Sequence, residues 1–236
     1  MTAKKHIGAV KSESAVPWRL SFDPKHCIWS IHGDMDLSIA AIHCGLDGWN
    51  EERRVAAHLM VNAEHMYAYV VSMAKAGDSE ACTLAKSIEQ DLAGEDNAIE
   101  TVEDYLPEAF QNQGSGIKNS EYYARAGGRK KRGDDKHGPW VLTFDKSSCI
   151  WSIRGGPDLP IAVIRAAFDG RNDERRVAGH LMANAKRMYA YVKSRVEAGD
   201  VGARALNDRV EAGLSGKGDA METIDGLLPA AFRFKP

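Results

Sequence analysis

The sequence predicts an α+β fold built from two tandem repeats, and three observations lead to it. Residues 17–110 align with residues 139–232 at a constant offset of 122 positions without a gap, and 50 of the 94 paired positions are identical. Each segment opens with three short stretches in which apolar and polar residues alternate, which is the period of a half-buried strand. The period then changes to that of an amphipathic helix. Each repeat is therefore predicted to be a three-stranded antiparallel β-meander packed on a long α-helix plus two shorter helices.

The strands of the first repeat are predicted around residues 18–22, 27–31 and 37–41. The turns between them are short, which favours antiparallel neighbours. Cys27 is expected inside the second strand as a small apolar residue. The tryptophans of this strand pattern are expected in the core between the sheet and the long helix, because a unit this small needs large apolar side chains there.

The long helix is predicted to begin after Asn50, a suitable N-cap, and to stop at Gly77. Apolar residues recur along it at helical spacing and form one stripe that can cover the sheet. A second helix is predicted after a cap at Asp78 or Ser79, and a third from about Asn97.

The remaining segments divide the chain into domains. Residues 1–16 are polar and are predicted to be a disordered N-terminus, and residues 111–138 form a flexible basic linker between repeat unit 1 (17–110) and repeat unit 2 (139–232). The linker contains a basic run that is either solvated or able to bind a nucleic-acid phosphate backbone. That run consists of Arg129, Lys130, Lys131 and Arg132.

Composition narrows the class of protein. The net charge of −2 provides no overall field that favours nucleic acid or a membrane. No apolar run reaches the roughly 18 residues that span a bilayer, and the N-terminal residues lack the apolar segment of a secretory signal. Of the four cysteines, only Cys27 and Cys149 are counterparts, so a disulfide framework within each repeat is not expected. Free thiols in a reducing cytoplasm are predicted.

The most concentrated set of polar side chains follows the long helix. Residues at positions 50, 54, 58 and 62 are spaced four apart and therefore share one helix face, and their counterparts are identical. Guanidinium groups bind phosphate or carboxylate, and amide and imidazole groups add hydrogen bonds, so this face can hold an anionic or polar partner. Alternatively, these side chains have internal partners, such as Glu51 for Arg54. The predicted binding residues, called the polar stripe below, are Arg53, Arg54, His58, Asn62, Tyr69, Arg175, Arg176, His180, Asn184 and Tyr191.

Catalytic signatures are not found. The sequence contains no GxSxG, P-loop or HExxH motif. His58 and His180 have no second histidine or carboxylate four residues away, so one helix alone does not supply a metal site. No catalytic residue, cofactor or metal is therefore predicted, and the protein is not expected to be an enzyme.

The helix segment AHLMVNAEHMYAYV and its copy GHLMANAKRMYAYV resemble the ARLIAAAPELLEAL-type helix of small, mostly uncharacterised phage and prophage proteins. In those proteins, too, a short β-meander that begins near a tryptophan precedes the helix. This chain departs from the motif where Glu64 and Lys186 replace its proline, and where His58 and His180 replace its arginine. The resemblance implies an origin in a phage or mobile element and a location in the cytoplasm of a bacterial host.

Three functional hypotheses follow. The first is a non-catalytic phage-type binding protein that occupies or blocks a host protein, such as a defence effector, through paired helix faces of an intramolecular pseudo-dimer. The second is sequestration of a nucleotide-like small anion by the polar stripe. The third is nucleic-acid binding through the basic linker. No membrane partner is expected, and further oligomerisation stays open.

Overall fold

The computed structural model describes residues 17–34, 37–46, 49–93, 139–155 and 160–215. Within these ranges the chain is α+β, with six strands and five helices. The strands are β1 (Arg19–Asp23), β2 (Ile28–His32), β3 (Ser38–His43), β4 (Val141–Asp145), β5 (Ile150–Arg154) and β6 (Pro160–Arg165). The helices are α1 (Asn50–Val61), α2 (Ala63–Lys75), α3 (Ser79–Ala93), α4 (Asn172–Glu197) and α5 (Val201–Leu214).

All six strands belong to one antiparallel sheet, in the order β1-β2-β3-β6-β5-β4. The central pair is β3 and β6, which run antiparallel with Ala41 opposite Val163. The sequence led us to expect a separate three-stranded meander in each repeat, whereas the strands of both segments join in a single sheet. The physical reason is that a three-stranded meander leaves the backbone groups of its last strand unpaired, and pairing two such edges satisfies both.

The core lies between one face of this sheet and the helices α1 and α4. Alternate strand residues point to this face, among them Trp29 and Trp151, which are 7% and 0% exposed. The predicted core role of these tryptophans is thereby confirmed. A second apolar cluster lies between the helices themselves and joins α2 and α3 to α4 and α5.

The predicted long helix is interrupted in the first segment and continuous in the second. The break is at Asn62, whose side chain donates to the carbonyl oxygen of His58 at 2.8 Å, while its backbone N–H bonds to Leu59 at 3.2 Å. The side chain thus competes for the carbonyl that a regular helix would use, which tightens the turn. Asn184 makes the same side-chain bond, to His180 at 3.0 Å, inside the unbroken helix α4, so this bond alone does not interrupt a helix.

Two local predictions are wrong, and the predicted cap of the second helix is confirmed. Asn50 is the first residue of α1 and Trp49 occupies the N-cap position, so Asn50 is not the N-cap. Cys27 precedes β2 with a φ of 52°, in the left-handed region, because the chain leaves the turn there. Asp78 accepts a hydrogen bond from the backbone N–H of Ala81 at 2.8 Å and so caps α3 as expected.

The other predicted segments lie outside the described residues. They are the N-terminal residues 1–16, the third helix of each repeat and the linker 111–138 with its basic run. In the part of the chain that is described, no helix combines the length and the apolar character needed to cross a membrane.

Candidate functional site

The polar stripe lies on α1, α2 and α4, where these helices meet each other and the helices α3 and α5. Six of its ten residues are buried polar or charged side chains, and Tyr191 is buried with them. Arg54, His58 and Tyr69 are partly exposed. The stripe is therefore mostly an internal feature of the described fold, and the contacts of its members show what they do there.

Arg54 and Arg176 each reach the C-terminal end of a helix in the other segment. Arg54 donates from Nη1 to the carbonyl oxygen of Leu214 at 2.9 Å, and Arg176 donates from Nη1 to that of Leu92 at 2.7 Å. Leu92 and Leu214 are themselves counterparts, so the two contacts are reciprocal. Carbonyl groups in the last turn of a helix lack intrahelical donors and carry the negative end of the helix dipole, which a guanidinium group satisfies.

Each of these arginines also pairs with the acid three residues before it. Arg54 contacts Glu51 at 2.8 and 3.0 Å, and Arg176 contacts Asp173 at 3.1 Å. The hydrogen bond from Arg54 lowers the pKa of Glu51 below its ordinary value. Arg54 therefore has the predicted partner, Glu51, and also a second partner, the carbonyl oxygen of Leu214.

Arg175 holds the loop that precedes α4. Its two terminal nitrogens donate to the two carboxylate oxygens of Asp169 at 2.6 and 2.5 Å, and its side chain is 6% exposed. These hydrogen bonds lower the pKa of Asp169 to about 2. Arg53, the counterpart of Arg175, is 1% exposed in α1. Asp169 was not predicted as a partner of Arg175, although an aspartate at this position of both repeats, Asp47 and Asp169, could have indicated it.

Asn50 and Asn172 clamp the same two loops. The side-chain oxygen of Asn50 accepts from the backbone N–H of Gly45 at 3.0 Å, and its amide nitrogen donates to the Gly45 carbonyl at 3.0 Å. Asn172 makes the same pair of bonds with Ala167, at 2.9 Å each. Each asparagine therefore ties the loop after a central strand to the start of the following helix, which is why it does not serve as an N-cap.

The two histidines differ in exposure, since His58 is partly exposed and His180 is buried. His58 packs edge-on against Trp29 with ring centroids 5.9 Å apart, and burial lowers its pKa, assisted by the charge of Arg54. It also faces Gly213, where a Cβ atom would lie 2.7 Å from the ring nitrogen Nδ1. The counterpart of Gly213 is Asp91, which accepts a hydrogen bond from Asn184 at 3.2 Å. The two positions therefore differ, since Gly213 lies against His58 whereas Asp91 bonds to Asn184.

Tyr69 and Tyr191 meet each other, with ring centroids 6.1 Å apart. Burial raises the pKa of both phenols, with a contribution from Asp200 for Tyr69 and from Asp78 for Tyr191. Asp78 also forms an ion pair with Arg195 at 3.3 Å. At this end of the stripe, Tyr69 and Asp78 of the first segment therefore lie beside polar side chains of the second. Those side chains are Tyr191, Arg195 and Asp200.

One cavity of about 310 Å³ opens between α3 and α4. Its lining contains one residue of the polar stripe, Tyr191, together with residues that the sequence analysis did not single out. These are Glu80, Thr83, Leu84 and Arg187. Arg187 donates to Asn184 at 2.8 Å and to Ser87 at 3.2 Å. The counterparts of Glu80 and Arg187 are Gly202 and His65, so the two charged residues of this lining are not repeated at the corresponding positions of α5 and α2.

The described side chains include no group of three or more histidine, cysteine, aspartate or glutamate residues placed to hold a metal ion. The basic run at residues 129–132 lies outside the described ranges, so nucleic-acid binding through it stays a prediction. In the comparisons with known proteins, no family model, no curated protein and no solved structure matches the chain.

Proposed function

We propose that the chain is a non-catalytic binding protein of the phage or prophage type, which occupies a host protein, such as a defence effector, and blocks it. In this proposal the two repeats form an intramolecular pseudo-dimer, so that every exposed feature common to both is presented twice. The observation that carries it is the reciprocity of the contacts between the two segments.

Three reciprocal contacts support the pseudo-dimer. Arg54 reaches Leu214 while Arg176 reaches Leu92, and both distances are below 3.0 Å. Tyr69 contacts its own counterpart, Tyr191. Ala41 pairs with Val163, again its counterpart, at the centre of the sheet. A twofold relation between two similar units produces this pattern, in which residue i contacts residue j and the counterpart of j contacts the counterpart of i.

The burial and ion pairing of the arginines in the polar stripe support a binding function over a catalytic one. A general base or an anion-binding arginine has to reach the substrate, whereas Arg175 and Arg176 have salt-bridge partners and side chains that are only 6% exposed. The network instead makes the body rigid. A rigid surface loses little entropy when it binds, which favours a protein that acts by occupying a partner.

The test begins with the purified chain as bait in a lysate of the bacterial host. A protein that it captures is purified, the dissociation constant is measured by calorimetry, and the activity of that protein is measured with and without saturating chain. We expect one saturable complex and loss of the partner's activity. The proposal fails if the folded chain captures no saturable partner, or if the partner keeps its full activity in the complex.

A matched pair of variants tests the polar stripe within this experiment. His58→Gln changes a partly exposed stripe residue, and Arg204→Met changes an exposed residue on α5 outside the stripe. If the stripe contacts the partner, His58→Gln weakens binding while Arg204→Met does not. Equal affinities would remove the stripe from the interface and leave the binding function to another surface.

The cavity between α3 and α4 favours a second candidate, the sequestration of a nucleotide-like anion. This cavity is a shallow, open depression, and Arg187 in its lining carries a guanidinium group that can bind a phosphate. A ligand of this kind raises the melting temperature of the chain by linkage. Screening cyclic nucleotides against the wild type and Arg187→Met decides the matter, because a shift in the wild type alone supports this candidate and no shift in either excludes it.

A further inference from the structure

The two segments contact each other through two equivalent pairs of helix surfaces. Helix α3 packs on α4, and α5 packs on α1 and α2. Under the pseudo-twofold relation, these are two copies of one contact. The bonds from Arg54 and Arg176 to the ends of α5 and α3 are the same in both copies. The side chains beside these bonds differ between the copies, and the differences are complementary.

One pair of positions shows this complementarity most directly. Arg187 on α4 donates from Nη2 to the hydroxyl oxygen of Ser87 on α3 at 3.2 Å. The counterparts of these two residues are His65 on α2 and Arg209 on α5. Burial lowers the pKa of His65 and the charge of Arg209 lowers it further, so these two side chains also lie near each other. Each of these two contacts, called matched pairs below, therefore contains one arginine, and both arginines belong to the second segment.

The net charges of the helices are distributed in a complementary way as well. Helix α3 carries three acidic residues and one basic residue, a net charge of −2, and it packs on α4, which carries three acidic and six basic residues, a net charge of +3. In α5, and in α1 and α2 taken together, acidic and basic residues are equal in number. The ion pair of Asp78 with Arg195, at 3.3 Å, lies on the α3–α4 side, and the counterpart of Arg195 is the uncharged Met73. Opposite charges therefore meet where the unlike repeats pair.

Pairing of two like repeats in the same geometry loses this complementarity. Two second repeats would place Arg187 of each opposite Arg209 of the other, which brings like charges together twice. Two first repeats would place His65 opposite Ser87, and the negative charge of α3 would meet helices without net charge. Like charges in contact are destabilising, and the pairing of unlike repeats avoids them at both positions.

We propose that the two matched pairs make each repeat select the unlike repeat as its partner, so that the first and second repeats bind each other in preference to copies of themselves. A protein discriminates between partners when the unwanted pair brings like charges together, and Arg187 and Arg209 do this for two second repeats. The inference rests on the pseudo-dimer of the proposed function and not on a host partner. It gives the divergence at these positions a physical role, because two identical repeats would pair equally well in every combination.

The test compares four full-length chains that have the same amino-acid composition, the wild type and three variants. One half exchange combines Ser87→Arg with Arg209→Ser, and the other combines His65→Arg with Arg187→His. Each half exchange builds the contacts of like repeats into a single chain, with arginine opposite arginine at one position and histidine opposite serine at the other. The full exchange makes all four substitutions and restores both matched pairs in exchanged places. All four side chains are exposed or partly exposed, so the core stays unchanged.

Thermal unfolding at low salt measures the selection. Each half exchange should lower Tm by about 1–3 °C, as expected for an exposed charge contact in a chain of this length. The full exchange should recover most of that loss, because coupled positions are restored together. The loss in the half exchanges should also shrink at roughly 1 M salt, where the Debye length falls to about 3 Å.

Three outcomes overturn the inference. If each residue serves only its own surroundings, the effects of the four substitutions add, and the full exchange is less stable than either half exchange. Half exchanges as stable as the wild type show that the matched pairs select nothing. A loss that stays the same at high salt is due to shape and not to charge. None of these outcomes affects the capture of a host protein, and failure of that capture leaves the Tm values as expected, so the two proposals fail separately.

Discussion

Replacing Arg176 by methionine should destabilise the fold far more than a typical surface substitution. The methionine keeps most of the apolar volume of the side chain but removes the donor to the Leu92 carbonyl, which lies at 2.7 Å. A hydrogen bond from a charged donor contributes about 1.5–3 kcal/mol, and a cation at a helix C-terminus adds about 0.3–1 kcal/mol. The pair with the exposed Asp173 contributes little. The expected loss is therefore about 2–4 kcal/mol.

Thermal and urea unfolding measure this loss. For a chain of this length, a loss of that size lowers Tm by about 5–15 °C. Arg204→Met is the control, because Arg204 is exposed on α5, and its unfolding free energy should stay within about 0.5 kcal/mol of the wild type. Arg54→Met should lower stability too, but less, because the side chain of Arg54 is 15% exposed and water can partly replace it.

The reasoning is refuted if Arg176→Met lowers stability no more than Arg204→Met. In that case the Leu92 carbonyl is satisfied by water once the guanidinium is gone, and the reciprocal contacts do not hold the two segments together. A large effect of Arg176→Met with none of Arg54→Met would show that the two contacts, though reciprocal in geometry, are unequal in energy.

Three further predictions concern the loop clamp, the half-buried His43 and the thiols. Asn172→Ala removes both bonds to Ala167 and should cost about 1–3 kcal/mol in urea unfolding, whereas an unchanged midpoint would show that the loop holds without its clamp. Burial lowers the pKa of His43 from 6.5 to about 4, so its contribution to stability is complete above pH 6.5 and is lost as the pH falls towards 4. The stability of the wild type should therefore fall more steeply over this range than that of His43→Gln, and equal slopes would contradict the shift. Because Cys82 is partly exposed and the other three thiols, including Cys27, are buried, a thiol reagent should label Cys82 first in the native protein and all four cysteines in denaturant.

Local patterns predicted those parts of the structure that depend on neighbours along the chain. The alternation around residues 18–22 corresponds to β1, and the change of period corresponds to the start of the helices. Asp78 was one of two candidate caps, with Ser79, because the helix that follows lies in the next few residues. In contrast, Asn50 was assigned to the wrong partner, because an asparagine at a helix start can bond forward to the helix or back to the loop, and both choices fit the same sequence.

In the candidate site, too, the sequence predicted the features that depend on local spacing but not the contacts between distant segments. Spacing alone identified the side chains on one helix face, and it also suggested the contact of Arg54 with Glu51, three residues away. It did not reveal that Arg54 also reaches Leu214, since 160 residues of chain separate the two and no periodicity reports such a contact.

By itself, the sequence determined that the chain contains two copies of one pattern, that each copy has strands followed by helices, and that Trp29 and Trp151 belong to the core. These properties depend on residue type and short-range spacing, which the chain carries locally. Only the tertiary structure decided that β3 and β6 pair, that the arginines of each segment satisfy helix ends in the other, and that most of the polar stripe is buried. Those outcomes depend on which unpaired edges, carbonyls and apolar faces meet once the segments pack, and such meetings are set by the whole fold.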